Sequence, residues 1–106
     1  MKTHKDLKVL QKSLEFVTVI YTPTNNFPQS EKLGLTNQIR RSAVSFPSNI
    51  AEGSARNQTK EFIQFLYIAK PSASELDTHI RISENLKFLK KQMSRTLFEE
   101  LESISK

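Results

Sequence analysis

Residues 37–53, NQIRRSAVSFPSNIAEG, decide how this chain is read. At about 100° per residue, Leu35, Ile39, Ala43, Phe46, Ile50 and Gly53 fall within one arc, and Gln38, Arg41, Ser45, Ser48 and Glu52 fall on the far side. Between the arcs lie Arg40, Val44, Pro47 and Ala51, apolar apart from the arginine, so this helix is expected to pack on more than one neighbour. Pro47 removes one intrahelical hydrogen bond and its ring crowds the carbonyl of Ala43, a cost of about 3 kcal/mol in an ordinary helix interior. Ser45, Ser48 and Asn49 can hydrogen-bond freed backbone groups, and neighbouring helices can hold a kink. The alternative is a helix that stops at Phe46 and passes into a turn.

The same spacing recurs on both sides of this segment. With 2 glycines and 4 prolines in 106 residues, and no persistent strand-like alternation, the chain reads as helices joined by short links. A first helix is expected from about Thr3 to Tyr21, with Thr3 as N-cap, Asp6 favourable in the first turn, and a core seam of Leu7, Leu10, Leu14, Val17 and Tyr21. The connection TPTNNFPQS at 22–30 is rich in turn formers, with Phe27 tucked beneath it as a plug. Ser30 is placed to cap the second helix, which runs through Pro47 to about Ala55, with Gly53 helping to end it. A third helix, from Asn57 or Thr59 to about Asn85, carries Phe62, Phe65, Leu66, Ala69, Ala73, Leu76 and Ile80 along one stripe. Leu86 to Leu89 form an apolar corner, and a fourth helix from Lys90 or Ser94 offers Met93, Leu97, Leu101 and Ile104. The expectation is an all-α fold, an antiparallel up-down four-helix bundle occupying 1–106 as one domain.

The first helix carries a second apolar stripe. Val9, Phe16 and Ile20 lie roughly opposite Leu7 and Leu14, and with Val44 and Ala51 of the second helix they are expected to form an oligomer interface. Left wet, a Phe or Ile forgoes about 1.5 to 3 kcal/mol. The alternative is that loops or the fourth helix cover that stripe within one chain.

Composition removes several classes of function. There is no cysteine, which excludes disulfides, thiol catalysis and cysteine-based zinc sites and fits a reducing cytoplasm. No stretch approaches a membrane span and no signal peptide is evident, so a soluble cytoplasmic protein is expected. The two histidines, His4 and His79, belong to no metal-ligand spacing; Glu75 and His79 read as a surface helix pair. No serine stands in a nucleophile elbow and no glycine-rich loop can cradle phosphates, so neither catalysis, nor a metal, nor an organic cofactor is expected.

The formal charge of +5 points to a polyanionic partner. Lys5, Lys8 and Lys12 share a face of the first helix, and Arg40, Arg41, Arg56 and Lys60 cluster around the second helix and the start of the third. These seven are the candidate nucleic-acid contacts: guanidinium groups clamp phosphate with paired hydrogen bonds, and each cation near the backbone releases condensed counterions. The alternative for Arg40 and Arg41 is structural, through pairing with Glu31, Glu52, Glu61 or Glu75. Aromatic residues sit mainly on core seams, so base stacking is not indicated.

The blocks QIRRSAVSFPSNIAEGSAR and KEFIQFLYIAKPSASELDT, with Asp6 and Leu7 before them and FPQSEKLGL between, resemble the 23S rRNA intervening-sequence proteins, or four-helix bundle proteins. The resemblance covers nearly the whole chain. It departs at Pro71, where a glycine is usual before Ser72, and at Phe46, where a smaller aliphatic residue is usual; both bear on local helix geometry. Members are similar to the accessory proteins of diversity-generating retroelements, which form pentameric rings and bind nucleic acid. The resemblance therefore implies a non-enzymatic homopentamer that binds structured RNA or DNA. The alternative it implies is a protein-interaction module, an accessory subunit for a reverse transcriptase or another nucleic-acid enzyme.

Overall fold

The computed structural model describes residues 4–56 and 58–105, with side chains described from 6 to 104. Thr3, the expected first cap, lies outside the described residues. Four helices, α1 (His4–Thr24), α2 (Leu35–Ser54), α3 (Thr59–Asn85) and α4 (Lys91–Ser105), are joined by short links, one holding a 3-10 turn, Gln29–Glu31. No strand occurs among the described residues. α2 packs on α1 and α3, α4 packs on α3, and α1 closes against α4. Ile20, Ile39, Leu76, Ile80 and Leu97 are fully enclosed at the centre, each burial contributing about 1.5–3 kcal/mol.

The deciding segment forms the helix its spacing requires. Leu35, Ile39, Ala43, Ile50 and Gly53 are buried and Phe46 is half-buried, and α2 runs unbroken past Pro47, which excludes a stop at Phe46. The hydroxyl of Ser48 donates to the Val44 carbonyl at 2.8 Å, and the Asn49 amide donates to the Ser45 carbonyl at 2.9 Å. The Ser72 hydroxyl on α3 then donates to Ser45 Oγ at 3.0 Å, tying the proline region to its neighbour. The helix begins five residues later than Ser30, however. Ser30 sits inside the 3-10 turn, and Glu31 Oε1 accepts a hydrogen bond from the Leu35 N–H at 3.2 Å in its place.

Gly53 does not terminate α2. It lies within the helix at ordinary negative φ, and a Cβ built there would stand 2.6 Å from Phe65 Cβ and 3.2 Å from Phe62 Cδ1. Its function is to let α2 and α3 approach closely.

α1 is rotated relative to the expected seam. Phe16 and Ile20 are 3% and 0% exposed and belong to the central core, with Val9 packed against it, whereas Leu7, Leu14 and Tyr21 are exposed at 39%, 53% and 39%. Ser13 and Thr24 fall on the buried stripe between the apolar residues. Their hydroxyls donate to the Leu10 and Ile20 carbonyls of their own helix, each at 2.8 Å, and so can be enclosed without loss. α1 also extends through Pro23 to Thr24, three residues beyond the expected end.

α3 spans its expected range without a break at Pro71, whose ring faces solvent. It closes in a double hydrogen bond: Phe88 N–H to Ser83 O at 2.8 Å and Lys87 N–H to Glu84 O at 2.9 Å. This is a Schellman closure, which places Lys87 in the left-handed region at φ 66°. A side chain there costs about 1 kcal/mol relative to the residue that fits freely, glycine. Phe88 meets Phe27 with ring centroids 5.5 Å apart, so the α1–α2 and α3–α4 connections lie together at one end of the molecule. Phe27 is buried, as its plug role required.

Candidate nucleic-acid interface

Each candidate cation meets a different environment. Arg40 is half-buried and makes three hydrogen bonds: Nε donates to Thr24 Oγ1 at 2.9 Å, and Nη2 to Asn25 Oδ1 at 2.8 Å and to the Tyr21 carbonyl at 3.3 Å. Its guanidinium also lies over the Tyr21 ring, 4.3 Å from the centroid. Arg40 thus ties down the C-terminal end of α1, where a cation opposes the negative end of the helix dipole. The carboxylate partners considered for it are not used; Glu52 instead pairs with Arg56 at 3.3 Å. Arg41 is exposed with no hydrogen bond or ion pair among the described residues, beside a shallow recess shared with Lys32, Leu33 and Asn37. The adjacent arginines therefore divide into one structural and one available group.

Arg56 is also partly occupied, since besides Glu52 it covers the Phe65 ring at 5.1 Å. Lys60 and Lys8 are exposed. Lys12 donates to Ser103 Oγ at 3.0 Å and borders a recess with Glu15, Glu99 and Glu100. The side chain of Lys5 lies outside the described residues. The structure thus brings Arg40 and Arg41 together at one end and leaves Arg56, Lys60 and the α1 lysines elsewhere.

Periodicity passed over a denser group. Residues 87–95, KFLKKQMSR, contain Lys87, Lys90, Lys91 and Arg95 and no carboxylate. All four side chains are exposed, and none forms a hydrogen bond or ion pair among the described residues. Phe27 and Phe88 bring Lys32 of the other connection to the same end. The nearby Arg81 is by contrast committed to Asp77, whose hydrogen bond and charge raise the guanidinium pKa. Within α4 the charges oppose the backbone: the first turn has no acidic residue and the last no basic one, with Lys91 and Arg95 early and Glu99, Glu100 and Glu102 late. Such placement forgoes about 0.3–1 kcal/mol per misplaced terminal charge. A count of charge by segment, without reference to helix faces, would have found this run.

Of the residues expected at an oligomer interface, Phe16 and Ile20 are core and unavailable, Val9 is half-buried at a groove edge, and Val44 and Ala51 are exposed. The exposed apolar side chains include instead Leu7, Leu14 and Tyr21 on α1 and Ile63, Tyr67 and Ile68 on α3, with Leu33 and Leu86 in the connections. A groove of about 420 Å³ runs beside the α3 group, lined by Val9, Phe46, Ile50, Phe62, Leu66 and Tyr67 among others. His79 is not a surface residue: its imidazole is enclosed, with Nε2 3.9 Å from Glu75 Oε1. No group of three potential metal ligands occurs among the described residues, and no described helix is long and apolar enough to cross a membrane.

Four helices enclosing a single apolar core, with a surplus of cations gathered at one end, define the class as a small basic all-α protein. The chain belongs to the 23S rRNA-intervening sequence protein family, whose model matches residues 5–106. Among solved structures it is similar to a protein of unknown function from the S23 ribosomal protein family of Bacteroides thetaiotaomicron. The two share 25% identity and a TM-score of 0.86, over 95% of this chain and 91% of that one. Comparison with curated proteins gives no match.

Proposed function

We propose that this chain is a non-enzymatic, self-associating four-helix bundle of the cytoplasm that binds structured RNA or DNA through its basic surface. The observation carrying the proposal is the set of exposed cations with no acidic partner, Arg41 foremost among the expected contacts, in a chain of net charge +5. The family, that of the 23S rRNA-intervening sequence proteins, agrees with a polyanionic partner.

An up-down order of the helices is supported by the packing of Arg40 on the end of α1 and of Gly53 on Phe62 and Phe65, each beside a short link. Assembly into a ring, a pentamer by the resemblance, is supported by the exposed Leu14, Tyr21 and Val44 of α1 and α2. Light scattering tests it: a particle of single-chain mass at micromolar concentration refutes self-association.

Binding is tested by fluorescence anisotropy with a labelled RNA stem-loop across a salt series. A set of four to six phosphate contacts predicts a loss of about two to three orders of magnitude between 50 and 200 mM salt. Binding that ignores salt refutes the proposal. The groove along α3 favours a second reading, an accessory subunit that docks a nucleic-acid enzyme such as a reverse transcriptase; affinity for that protein, insensitive to salt, is its signature.

A further inference from the structure

We infer that the α3–α4 connection and the first turns of α4 form the surface that grips the phosphate backbone of a nucleic acid. The inference rests on the reading that the chain binds nucleic acid, and it assigns the contact to Lys87, Lys90, Lys91 and Arg95.

Three observations converge. The first is charge: four exposed, unpaired cations occur within nine residues that contain no carboxylate. Lys91 and Arg95 are one helical turn apart on the same face of α4, so their charges sum on one side. On the helix sides the cations are diluted by acids, as with Arg56 beside Glu52 and Lys12 beside Glu15 and Glu99.

The second is backbone geometry. Lys87 occupies the left-handed position of the Schellman closure, at φ 66°, where glycine fits without steric cost. A lysine there opposes the fold's preference and turns a cation outward at the tip of the connection.

The third is the direction of α4. Its N-terminus, the positive end of the helix dipole, points to the same end as the four cations, and its first turn holds no acid to neutralise it. The dipole and the side chains therefore reinforce one another, which disfavours the isolated helix and favours a bound anion. Fold stability favours neither the left-handed lysine nor the charge order of α4, and a polyanion accounts for both and for the cation run.

Two variants that remove equal charge test the location. In one, Lys87, Lys90, Lys91 and Arg95 are changed together to Gln; in the other, Lys5, Lys8, Lys12 and Lys60 are. Both are titrated with a labelled RNA stem-loop and with the corresponding duplex DNA over a salt series, and melting is recorded. The first variant is expected to flatten the slope of log affinity against log salt by about three to four units on duplex DNA, and to melt no lower than the parent chain. The second is expected to change the slope by less than about one unit. Equal losses in both variants, or a loss confined to the second, overturn the assignment while leaving nucleic-acid binding intact. A parent chain that binds neither probe overturns the broader reading instead, and this inference with it. Polyglutamate serves as the acidic-polypeptide probe: if the first variant loses polyglutamate but keeps RNA, the surface takes an acidic protein and the assignment fails. A marked fall in melting temperature of the first variant also overturns it, by making these residues structural.

Discussion

Replacing Arg40 by Met retains most of the aliphatic stem and removes the guanidinium, which isolates what that group contributes. Thr24 Oγ1 and Asn25 Oδ1 lose their donor, the Tyr21 carbonyl keeps the Asn25 N–H and the Thr24 hydroxyl, and the cation–π contact with Tyr21 disappears. The two short hydrogen bonds are charge-assisted but half-exposed, so about 1 kcal/mol each is appropriate, with about 0.5–1 kcal/mol for the ring contact. The total is about 2–3 kcal/mol, or a fall in melting temperature on the order of 10 °C for a domain of this size. Arg41→Met, which breaks no contact, should stay within about 0.5 kcal/mol of the parent while reducing the salt slope of binding by about one unit. Thermal melting by circular dichroism and RNA titration on both variants give the comparison. If Arg40→Met melts with the parent, or Arg41→Met is the less stable of the two, the division of the pair into structural and available arginines is wrong.

Lys87→Gly should relieve the left-handed strain and raise stability by about 0.5–1 kcal/mol in chemical denaturation, while RNA affinity falls; changes of the same sign in both would separate the strain from the charge argument. Gly53→Ala gains about 1 kcal/mol of helix propensity but forces a Cβ to 2.6 Å from Phe65 Cβ. Since overpacking costs about 1–3 kcal/mol, melting should fall, and a rise would mean that α2 and α3 separate easily. Phe16→Ala should cost about 3–5 kcal/mol as a core cavity; a variant that melts normally but loses its partners in light scattering would restore Phe16 to an interface.

The fold was legible where apolar spacing was unambiguous. α2 and α3 have one dominant stripe each, and both lie as expected apart from Leu66, which is exposed, with Ser48 and Asn49 bonding helix carbonyls beside Pro47. α1 offered two stripes of similar strength. The buried one carries Ser13 and Thr24, whose hydroxyls bond their own helix carbonyls and can be enclosed. His79 was misplaced for a related reason, its buried position being hidden by its polarity. At the candidate site, the availability of Arg41 and the commitment of Arg40 depend on the end of α1 and on Asn25, 15 residues away in sequence, which spacing along α2 cannot express. The run from Lys87 to Arg95 was open to reading but belongs to a connection, where periodicity has nothing to say.

The unequal lengths of α3 and α4, 27 and 15 residues, have a consequence for local opening. At about 1.5 Å per residue α3 measures about 40 Å and α4 about 22 Å, so a long fraction of α3 extends without α4 beside it. Leu76, Ile80 and Ser83 are enclosed, while Ile63, Tyr67 and Ile68 are exposed. Amide hydrogen exchange should therefore be graded along this one continuous helix, slow around 76–83 at rates set by global unfolding and faster through 60–68 by fraying. Any partner that covers the early turns, a second copy included, would register as selective slowing of those amides, which makes the gradient a direct reporter of occupancy.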